Sequence, residues 1–350
     1  MKVFIVGGGL AGICIAHQLY EHEIPFKIID RGVNYSTLVA GGMINPITFR
    51  RLVKTWRCDD FITHLTTFYP KIENRINQRF FYPIKLRRTH SSKDEVDMWN
   101  NRLDDKGFKQ YISAPNSEKD TPSYLANEYG NAFVNTPGYI DSKSLMEGNH
   151  RFFKEKSLFI QEEFDFQALD VENKRYKDED FTHFIFAEGF QGEDNPFFNY
   201  LPFKNAKGEI LTVVSDELKK DEIINRKCYV LPTKHDDFLL GSTYVWGTKD
   251  PSPTEEGKQD LLKLYQDLST AKVEVINHEA GIRPTSADRR PMIGEHPEHK
   301  GLYIFNGLGA KGFTYAPYFA EEFVDFILGK KEIDHEVNIQ RFYAKYYMKS

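Results

Sequence analysis

The chain has 350 residues, a length that predicts roughly two domains with a substantial core. It is 40% hydrophobic and 28% charged with a net charge of −5, and the absence of a basic block disfavours a nucleic-acid partner. Its three cysteines lie far apart, which argues against a disulfide framework or a zinc site, so we expect no metal and a reducing, cytoplasmic location. No apolar run approaches the ~18 residues of a membrane span.

The first elements predict a strand, a glycine turn and a helix. Val3 to Val6 is an apolar run typical of a strand buried on both faces. Gly7, Gly9 and Gly12 follow as G-x-G-x-x-G at the turn into a helix. The first glycine permits the tight turn, the second lets the backbone approach a pyrophosphate, and the third lets the helix pack on the strand. The N–H groups at that helix start would face the phosphates.

A second strand, Phe26 to Ile29, ends at Asp30, eighteen residues after Gly12. A carboxylate at this point can accept hydrogen bonds from both hydroxyls of an adenosine ribose and would repel a 2′-phosphate. The unit therefore predicts FAD or NAD rather than NADP. The alternative is an ordinary glycine-rich turn, and the spacing of the strands, the turn and the acid favours dinucleotide binding.

Two segments after Asp30 contain residues that a pocket could use. Residues 37–46 form an apolar loop with a pair of glycines, which either permits close approach to a flat group or makes a buried turn. Residues 49–57 contain four cations, and on a strand Arg50 and Arg51 would lie on opposite faces. Either face could bring a cation into a pocket, and a solvated edge is equally consistent with the pattern.

The remaining chain is predicted to combine helices with an antiparallel sheet. Helices are predicted for residues 59–80, 91–106, from about 141 and 254–268. Strands dominate residues 157–187, with a hairpin near residues 172–174 and a glycine turn at 188–192 that suits a ligand at the sheet edge. Strands with short links and no intervening helix fill residues 208–244, which predicts antiparallel pairing there. A strand at 302–306, a glycine loop at 307–317 and an apolar helix repeat the first pattern, with a second helix N-terminus aimed at an acceptor-rich ligand.

Together these segments resemble the D-amino-acid oxidase family of flavoproteins, especially its glycine oxidase branch. The flavin domain of a bacterial tRNA wobble-uridine-modifying enzyme is similar too. The matching motifs are Gly7 to Gly12 with Asp30, Ala40 to Met43, Gly138 to Asp141, Phe186 to Gly189, Lys207 to Glu209, Val230 to Pro232, Leu240 to Tyr244, Gly281 to Pro284 and Gly307 to Pro317. The resemblance covers nearly the whole chain and implies α/β plus α+β structure: a Rossmann-type FAD-binding domain with a smaller substrate domain built on an antiparallel or mixed sheet.

The resemblance implies a discontinuous FAD-binding domain of residues 1–80, 135–205 and 275–350, with the substrate domain in residues 81–134 and 206–274. The residues expected to bind FAD are Gly7, Gly9, Leu10, Ala11, Gly12, Asp30, Arg31, Thr37, Ala40, Gly41, Gly42, Met43, Phe164, Gly189, Gly307, Gly309, Lys311, Gly312, Phe313 and Thr314. The C-terminal segments lack the cysteine that attaches flavin covalently in sarcosine-oxidase relatives, so non-covalent FAD is expected.

For catalysis, Arg283 matches the arginine that clamps a substrate carboxylate in family members that oxidise amino acids. Tyr244 falls at a pocket-lining position, and Lys311 and Arg50 complete our set of catalytic candidates. The alternative for Arg283 is a structural role, satisfying carbonyl groups or pairing with Asp288.

Two departures from the family pattern leave the substrate open. Glu188 stands where the family usually has a small residue, and Ala310 stands where glycine oxidase has a basic one. The sequence therefore predicts an FAD-dependent enzyme that oxidises the C–N bond of a small amine or amino acid by hydride transfer to flavin N5, with O₂ or another electron acceptor. The alternatives are an NAD-dependent dehydrogenase, a flavin module acting on a modified nucleic-acid base, and a flavin-binding protein without turnover.

Overall fold

A computed structural model describes residues 1–33, 36–116 and 120–348. The α-helices of these residues are α1 (Leu10–Glu21), α2 (Ser36–Val39), α3 (Cys58–Ile76), α4 (Lys93–Leu103), α5 (Ser142–Glu155), α6 (Glu255–Gln266) and α7 (Gly312–Ile327). Within the described ranges, no helix combines the length and apolar character needed to cross a membrane. The three cysteines are all buried and free.

The first sheet is assembled from the beginning, middle and end of the chain. Its strands are β1 (Val3–Val6), β2 (Phe26–Ile29), β11 (Phe159–Ile160), β15 (His183–Phe186), β22 (Met292–Glu295) and β23 (Leu302–Asn306). Their order is β11-β2-β1-β15-β23-β22, parallel except where β22 pairs antiparallel with β23. With α1 crossing from β1 to its neighbour β2, this is the Rossmann-type arrangement that the sequence predicted.

Burial on both faces explains why β1 is apolar throughout. Val3 and Ile5 point into a core shared with α1 and α7, whereas Phe4 and Val6 point into a second core on the opposite face. Fully burying each such side chain stabilises the fold by ~1.5–3 kcal/mol. Because helices or loops cover both faces, the carboxyl ends of the parallel strands are the open edge where a ligand can bind.

The second sheet is larger and mixed. Its strands are β7 (Lys85–Thr89), β8 (Ile112–Pro115), β9 (Asn131–Val134), β16 (Ala206–Val214), β17 (Glu222–Asn225), β18 (Tyr229–Pro232), β19 (Phe238–Gly241), β20 (Val245–Trp246) and β21 (Glu274–Arg283). All its pairs are antiparallel apart from the parallel pair β17–β7, and β21 runs along β16. The fold class predicted from the sequence, a Rossmann-type domain beside a mixed sheet, is confirmed.

The division into domains stays a prediction. One strand, β21, pairs with the second sheet although its residues were assigned to the FAD-binding domain. The proposed boundary at residue 275 assigned this segment to the FAD-binding domain, yet β21 pairs with β16 from Glu274 to Arg283. Gly281 lies within this strand, opposite Gly208 of β16, although glycine is unfavourable in a strand interior. The consequence for function is that Arg283 ends a strand of the second sheet.

Short strands complete the described structure. They are β3 (Met43–Ile44), β4 (Ile47–Thr48), β5 (Val53–Lys54), β6 (Phe81–Tyr82), β10 (Gly138–Ile140), β12 (Leu169–Asp170), β13 (Arg175–Tyr176) and β14 (Glu179–Asp180). The single strand considered for residues 49–57 is not formed: β4 and β5 make a hairpin whose tip is a short 3-10 turn, Phe49–Arg51. Leu52 turns the chain back with a left-handed backbone (φ 43°) and buries its side chain. Arg50 and Arg51 are consequently exposed at the tip.

Candidate active site

Residues of both sheets line one cavity of about 650 Å³, a volume typical of small-molecule sites. Sixteen of the predicted FAD-binding residues line it: Gly7, Gly9, Leu10, Ala11, Asp30, Arg31, Thr37, Ala40, Gly41, Gly42, Met43, Phe164, Gly189, Gly309, Gly312 and Phe313. Gly12, Gly307, Lys311 and Thr314 lie behind this wall rather than in it. Of the four catalytic candidates only Arg283 lines the cavity.

The turn between β1 and α1 can only be made with glycines. Gly7 has φ +109°, and a Cβ on Gly12 would overlap the carbonyl oxygen of Gly7. Gly9 is the N-cap of α1 and has no side chain with which to cap it. The N–H groups of the first helical turn therefore lie at the cavity wall, where the positive end of the helix favours an anion such as a pyrophosphate.

Asp30 is fixed in position at the end of β2 by two backbone groups. Its Oδ2 accepts a hydrogen bond from Gly8 N at 2.6 Å, and its Oδ1 accepts one from Gly32 N at 2.6 Å. A carboxylate can accept several hydrogen bonds at once, which is the property that recognition of ribose hydroxyls requires. The interactions orient the acid toward the same cavity that the glycine turn lines.

The wall near Asp30 also contains an aromatic surface and an ion pair. Phe164 stacks on Tyr176 with ring centres 4.6 Å apart and an angle of 13° between the planes. Arg31 lies 3.6 Å from Glu163, measured from Nη1 to Oε1. A flat purine could lie against the apolar surface with its polar edge toward this pair, the position in which the resemblance expects the adenine.

The glycine loop Ala40–Met43 packs closely against β10 on one side and against β18 of the second sheet on the other. A Cβ on Gly42, whose φ is +71°, would overlap the carbonyl oxygen of Ile140. A Cβ on Gly41 would overlap the hydroxyl group of Tyr229, on β18. Any larger residue in this loop would separate β18 from the cavity wall, so the loop sets the distance between the two halves of the site.

A second helix start forms the far side of the cavity. Gly307 and Gly309 have positive φ angles of 74° and 59°, after which α7 begins at Gly312. Lys311 turns away from the cavity: its Nζ donates to Thr55 Oγ1 and to Asn45 O, the latter at 3.3 Å. Burial lowers the pKa of Lys311 to about 8. The N-terminus of α7 thus faces the cavity, with the lysine ammonium behind it.

Arg283 reaches the cavity from the second sheet. Its Nη1 donates to Lys207 O at 3.2 Å, and its Nη2 donates to Ser242 Oγ at 2.9 Å and to Thr243 O at 3.2 Å. A Cβ on Gly208 would overlap the guanidinium, so that glycine provides its space. Burial lowers the pKa of Arg283.

A purely structural role for Arg283, in which it binds carbonyl groups or pairs with Asp288, accounts for only some of its contacts. Among the described residues no carboxylate pairs with its guanidinium, and Asp288 instead pairs with Arg341 at 2.8 Å. The carbonyl bonds exist, but they use at most three of the five guanidinium N–H groups. A half-buried cation that lines a ligand cavity and has no counter-charge among the described residues is well suited to bind a carboxylate.

The other catalytic candidates are not brought together with Arg283 inside the cavity. Tyr244 is 46% exposed, and its ring covers the outer face of the Arg283 guanidinium at 4.8 Å. Arg50 is exposed on the hairpin tip, a position that does not fit a role at the reacting atoms.

Sequence reasoning missed Tyr229 and Ser242, which line the cavity on the same side as Arg283. Burial raises the pKa of Tyr229, so its hydroxyl stays protonated. The alternation along β18 does indicate that Tyr229 and Val230 face opposite ways, yet only the three-dimensional packing decides which face borders the cavity.

Comparison with known proteins identifies the chemistry of this cavity. The family model described as FAD dependent oxidoreductase (DAO) matches residues 2–326. The chain belongs to this family. FAD is therefore its cofactor, and the glycine turn, the oriented acid and the two helix starts described above fit that group.

Relatives in the FAD dependent oxidoreductase family extend along the whole chain. Glycine oxidase of Bacillus subtilis is 22% identical, and the match covers 94% of each protein. The tRNA 5-methylaminomethyl-2-thiouridine biosynthesis bifunctional protein of Marinobacter nauticus is 21% identical over 92% of this chain but only 55% of its own length. The crystal structure of glycine oxidase from Geobacillus kaustophilus superposes with a TM-score of 0.78 over 95% of each chain, at 19% identity. The resemblance inferred from the motifs is confirmed.

Proposed function

We propose that the chain oxidises the C–N bond of a small amino acid, using FAD that is bound without a covalent link. The observation that carries this proposal is the half-buried guanidinium of Arg283, which lacks a carboxylate partner among the described residues and lines the same cavity as the glycine turn. The glycine oxidases among its relatives act on an amino acid, as their names state.

The bound flavin supplies the acceptor for a hydride taken from the substrate α-carbon. Arg283 would hold the substrate carboxylate with the N–H groups that Lys207, Ser242 and Thr243 leave free. The protonated Tyr229 hydroxyl, beside Gly41, would donate a hydrogen bond and act as a positioning group rather than a base. Orientation of the α-carbon is the main contribution expected of these side chains.

The N-terminus of α7 gives a second, electrostatic contribution. Its N–H groups point from Gly312 toward the cavity, and the Lys311 ammonium lies behind them. Both would stabilise negative charge that develops on a reduced flavin. The substrate amine must arrive neutral, since no group described above is a strong base in contact with the substrate side.

The test begins with the purified protein, which should be yellow and release intact FAD on heat or acid denaturation without proteolysis. Under anaerobic conditions we expect the flavin absorbance to bleach with an amino acid and far more slowly with the amine that lacks its carboxylate. Equal bleaching rates for the two would contradict the proposal and indicate a simple amine substrate. Reoxidation with O₂ and with artificial acceptors then separates an oxidase from a dehydrogenase.

A second candidate function is oxidation of an aminomethyl group on a modified nucleic-acid base. The match to the tRNA biosynthesis protein favours it, and so does the exposed aromatic pair Tyr244 and Trp246 beside Arg283, whose ring centres lie 4.9 Å apart. The net charge of −5 is unfavourable for RNA binding. Bleaching by an aminomethyl-modified uridine nucleoside, but by no free amino acid, would favour this candidate.

A further inference from the structure

Glu188 is an acid in an unusual place. It follows β15 and lines the cavity directly beside the phosphate-binding turn: its backbone N lies 3.2 Å from where a Cβ on Gly7 would be. A carboxylate here would face the part of FAD that carries two negative charges.

The surroundings of Glu188 hold its carboxyl group in place without neutralising it. Asn195 is fully buried, and its Oδ1 accepts from Phe197 N at 2.9 Å and Phe198 N at 3.3 Å. This fixes the amide orientation, so its Nδ2 must face Glu188, where it donates to Oε2 at 2.6 Å. No cation of the described residues forms an ion pair with Glu188.

The other charged groups around this point are already engaged. Asp30 accepts from two backbone N–H groups, Arg31 lies beside Glu163, and Asp194 pairs with Lys249 at 2.8 Å. His150, on α5, contacts the carbonyl oxygen of Gly8 at 2.7 Å. The ionised form of Glu188 therefore has one neutral amide as its partner, which is poor compensation for a buried charge.

We propose that FAD binding to this chain is coupled to protonation of Glu188, whose neutral carboxyl group donates a hydrogen bond to an oxygen of the phosphate–ribose part of the dinucleotide. Burial raises the pKa of Glu188 to about 7, so the acid is partly protonated near neutral pH before any cofactor binds. The proposal rests on FAD as the cofactor and adds that the affinity for FAD depends on pH.

The direction of the effect follows from charge. FAD is an anion, so it binds the protonated form better and raises the pKa of Glu188 further on binding. Affinity should be constant at acidic pH and fall as the pH rises through about 7. With one linked proton, the dissociation constant rises about tenfold per pH unit above that value, until the pH passes the pKa of the complex.

The experiment measures FAD dissociation constants with apoprotein by quenching of flavin fluorescence, from about pH 6 to about pH 9 on either side of the raised pKa. The wild type should lose affinity with rising pH. Glu188→Gln keeps the shape of the side chain and its contact with Asn195. At every pH this variant should bind FAD as tightly as the wild type does at acidic pH. Asp194→Asn is the matched control: it removes another acid of the same cavity wall, one that pairs with Lys249, and it should leave the pH dependence intact.

A direct proton count provides the second measurement. Mixing wild-type apoprotein with FAD in weak buffer at about pH 8 should take up close to one proton per FAD, and Glu188→Gln should take up none. A pH-independent wild type, or a Glu188→Gln variant that keeps the slope, would overturn the proposal. If Glu188→Gln does not fold, the proton count on the wild type decides alone. Failure of the wild type to bind FAD at any pH would instead contradict the cofactor assignment.

Discussion

The two ends of the cavity are built on different principles. At the dinucleotide end, the wall is made of backbone: Gly7, Gly9 and Gly42 permit turns and close approaches, and N–H groups of helix starts face the ligand. At the substrate end, side chains from separate strands of the second sheet meet, with Arg283 from β21 and Tyr229 from β18. The first construction leaves a pattern in the sequence, whereas the second depends on how strands pair.

This contrast also predicts how each end responds to change. A backbone wall has no spare volume, so an added methyl group displaces main chain and affects folding and cofactor binding together. Where side chains line the cavity, a substitution can remove one functional group while the fold persists. Substitutions at the two ends should therefore separate loss of cofactor from loss of substrate recognition.

The largest effect is expected from Gly12→Val. Its Cβ would overlap the carbonyl oxygen of Gly7, so the turn must shift and the helix start moves away from the ligand. We expect purified protein without FAD and an unfolding free energy lower by ~1–3 kcal/mol. Absorbance and denaturant titration measure these effects. Gly107→Ala is the control, since its Cβ would approach only the flexible Asp105 and Lys54 side-chain ends, at 3.2 and 3.8 Å. A yellow Gly12→Val protein would contradict the tight-turn argument.

Arg283→Lys should affect the substrate end alone. A lysine ammonium cannot reproduce the fork of the guanidinium, and a hydrogen bond to a charged group is worth ~1.5–3 kcal/mol, which corresponds to a rise in KM of roughly 10- to 150-fold for an amino acid. The flavin spectrum should stay unchanged. Arg289→Lys, an exposed arginine close to Trp246 and outside the cavity wall, is the control. Loss of FAD from Arg283→Lys would mean that the residue is structural.

Asp30→Ala tests the dinucleotide end through a side chain. It removes the acceptor for the ribose hydroxyls and also leaves Gly8 N and Gly32 N without their partner. We expect FAD affinity to fall by ~1.5–3 kcal/mol while kcat at saturating FAD stays near the wild-type value. FAD titration and steady-state kinetics measure both quantities. Unchanged FAD affinity would show that Asp30 only accepts hydrogen bonds from backbone groups at the end of β2 and does not contact FAD.

The same contrast explains what could be predicted from the sequence. The spacing of Gly7, Gly9, Gly12 and Asp30 is local, so the first βαβ unit was evident from the residues alone, whereas the rest of the cofactor wall was expected from the family resemblance. The tight hairpin at Arg50 depends on the left-handed backbone of Leu52, which a strand-like pattern does not reveal. Tyr229 could not be assigned, because its position results from β18 packing against the loop at Gly41, nearly two hundred residues away in the chain.

The smallest expected effect comes from Tyr229→Phe, which removes one hydroxyl group and keeps the ring. The ring packs in the core beneath β18, so the free energy of unfolding should change little. If the hydroxyl donates to the substrate, its loss removes a hydrogen bond worth ~0.5–1.5 kcal/mol, so kcat/KM should fall about 2- to 12-fold. The FAD affinity should stay unchanged. Tyr265→Phe is the matched control: this tyrosine hydroxyl lies on α6 and donates to Ala271 O at 2.8 Å, outside the cavity wall. It should lose stability without a change in kcat/KM. A Tyr229→Phe variant with wild-type kcat/KM would leave Arg283 as the group that recognises the substrate, and would reduce Tyr229 to a spacer between β18 and the glycine loop.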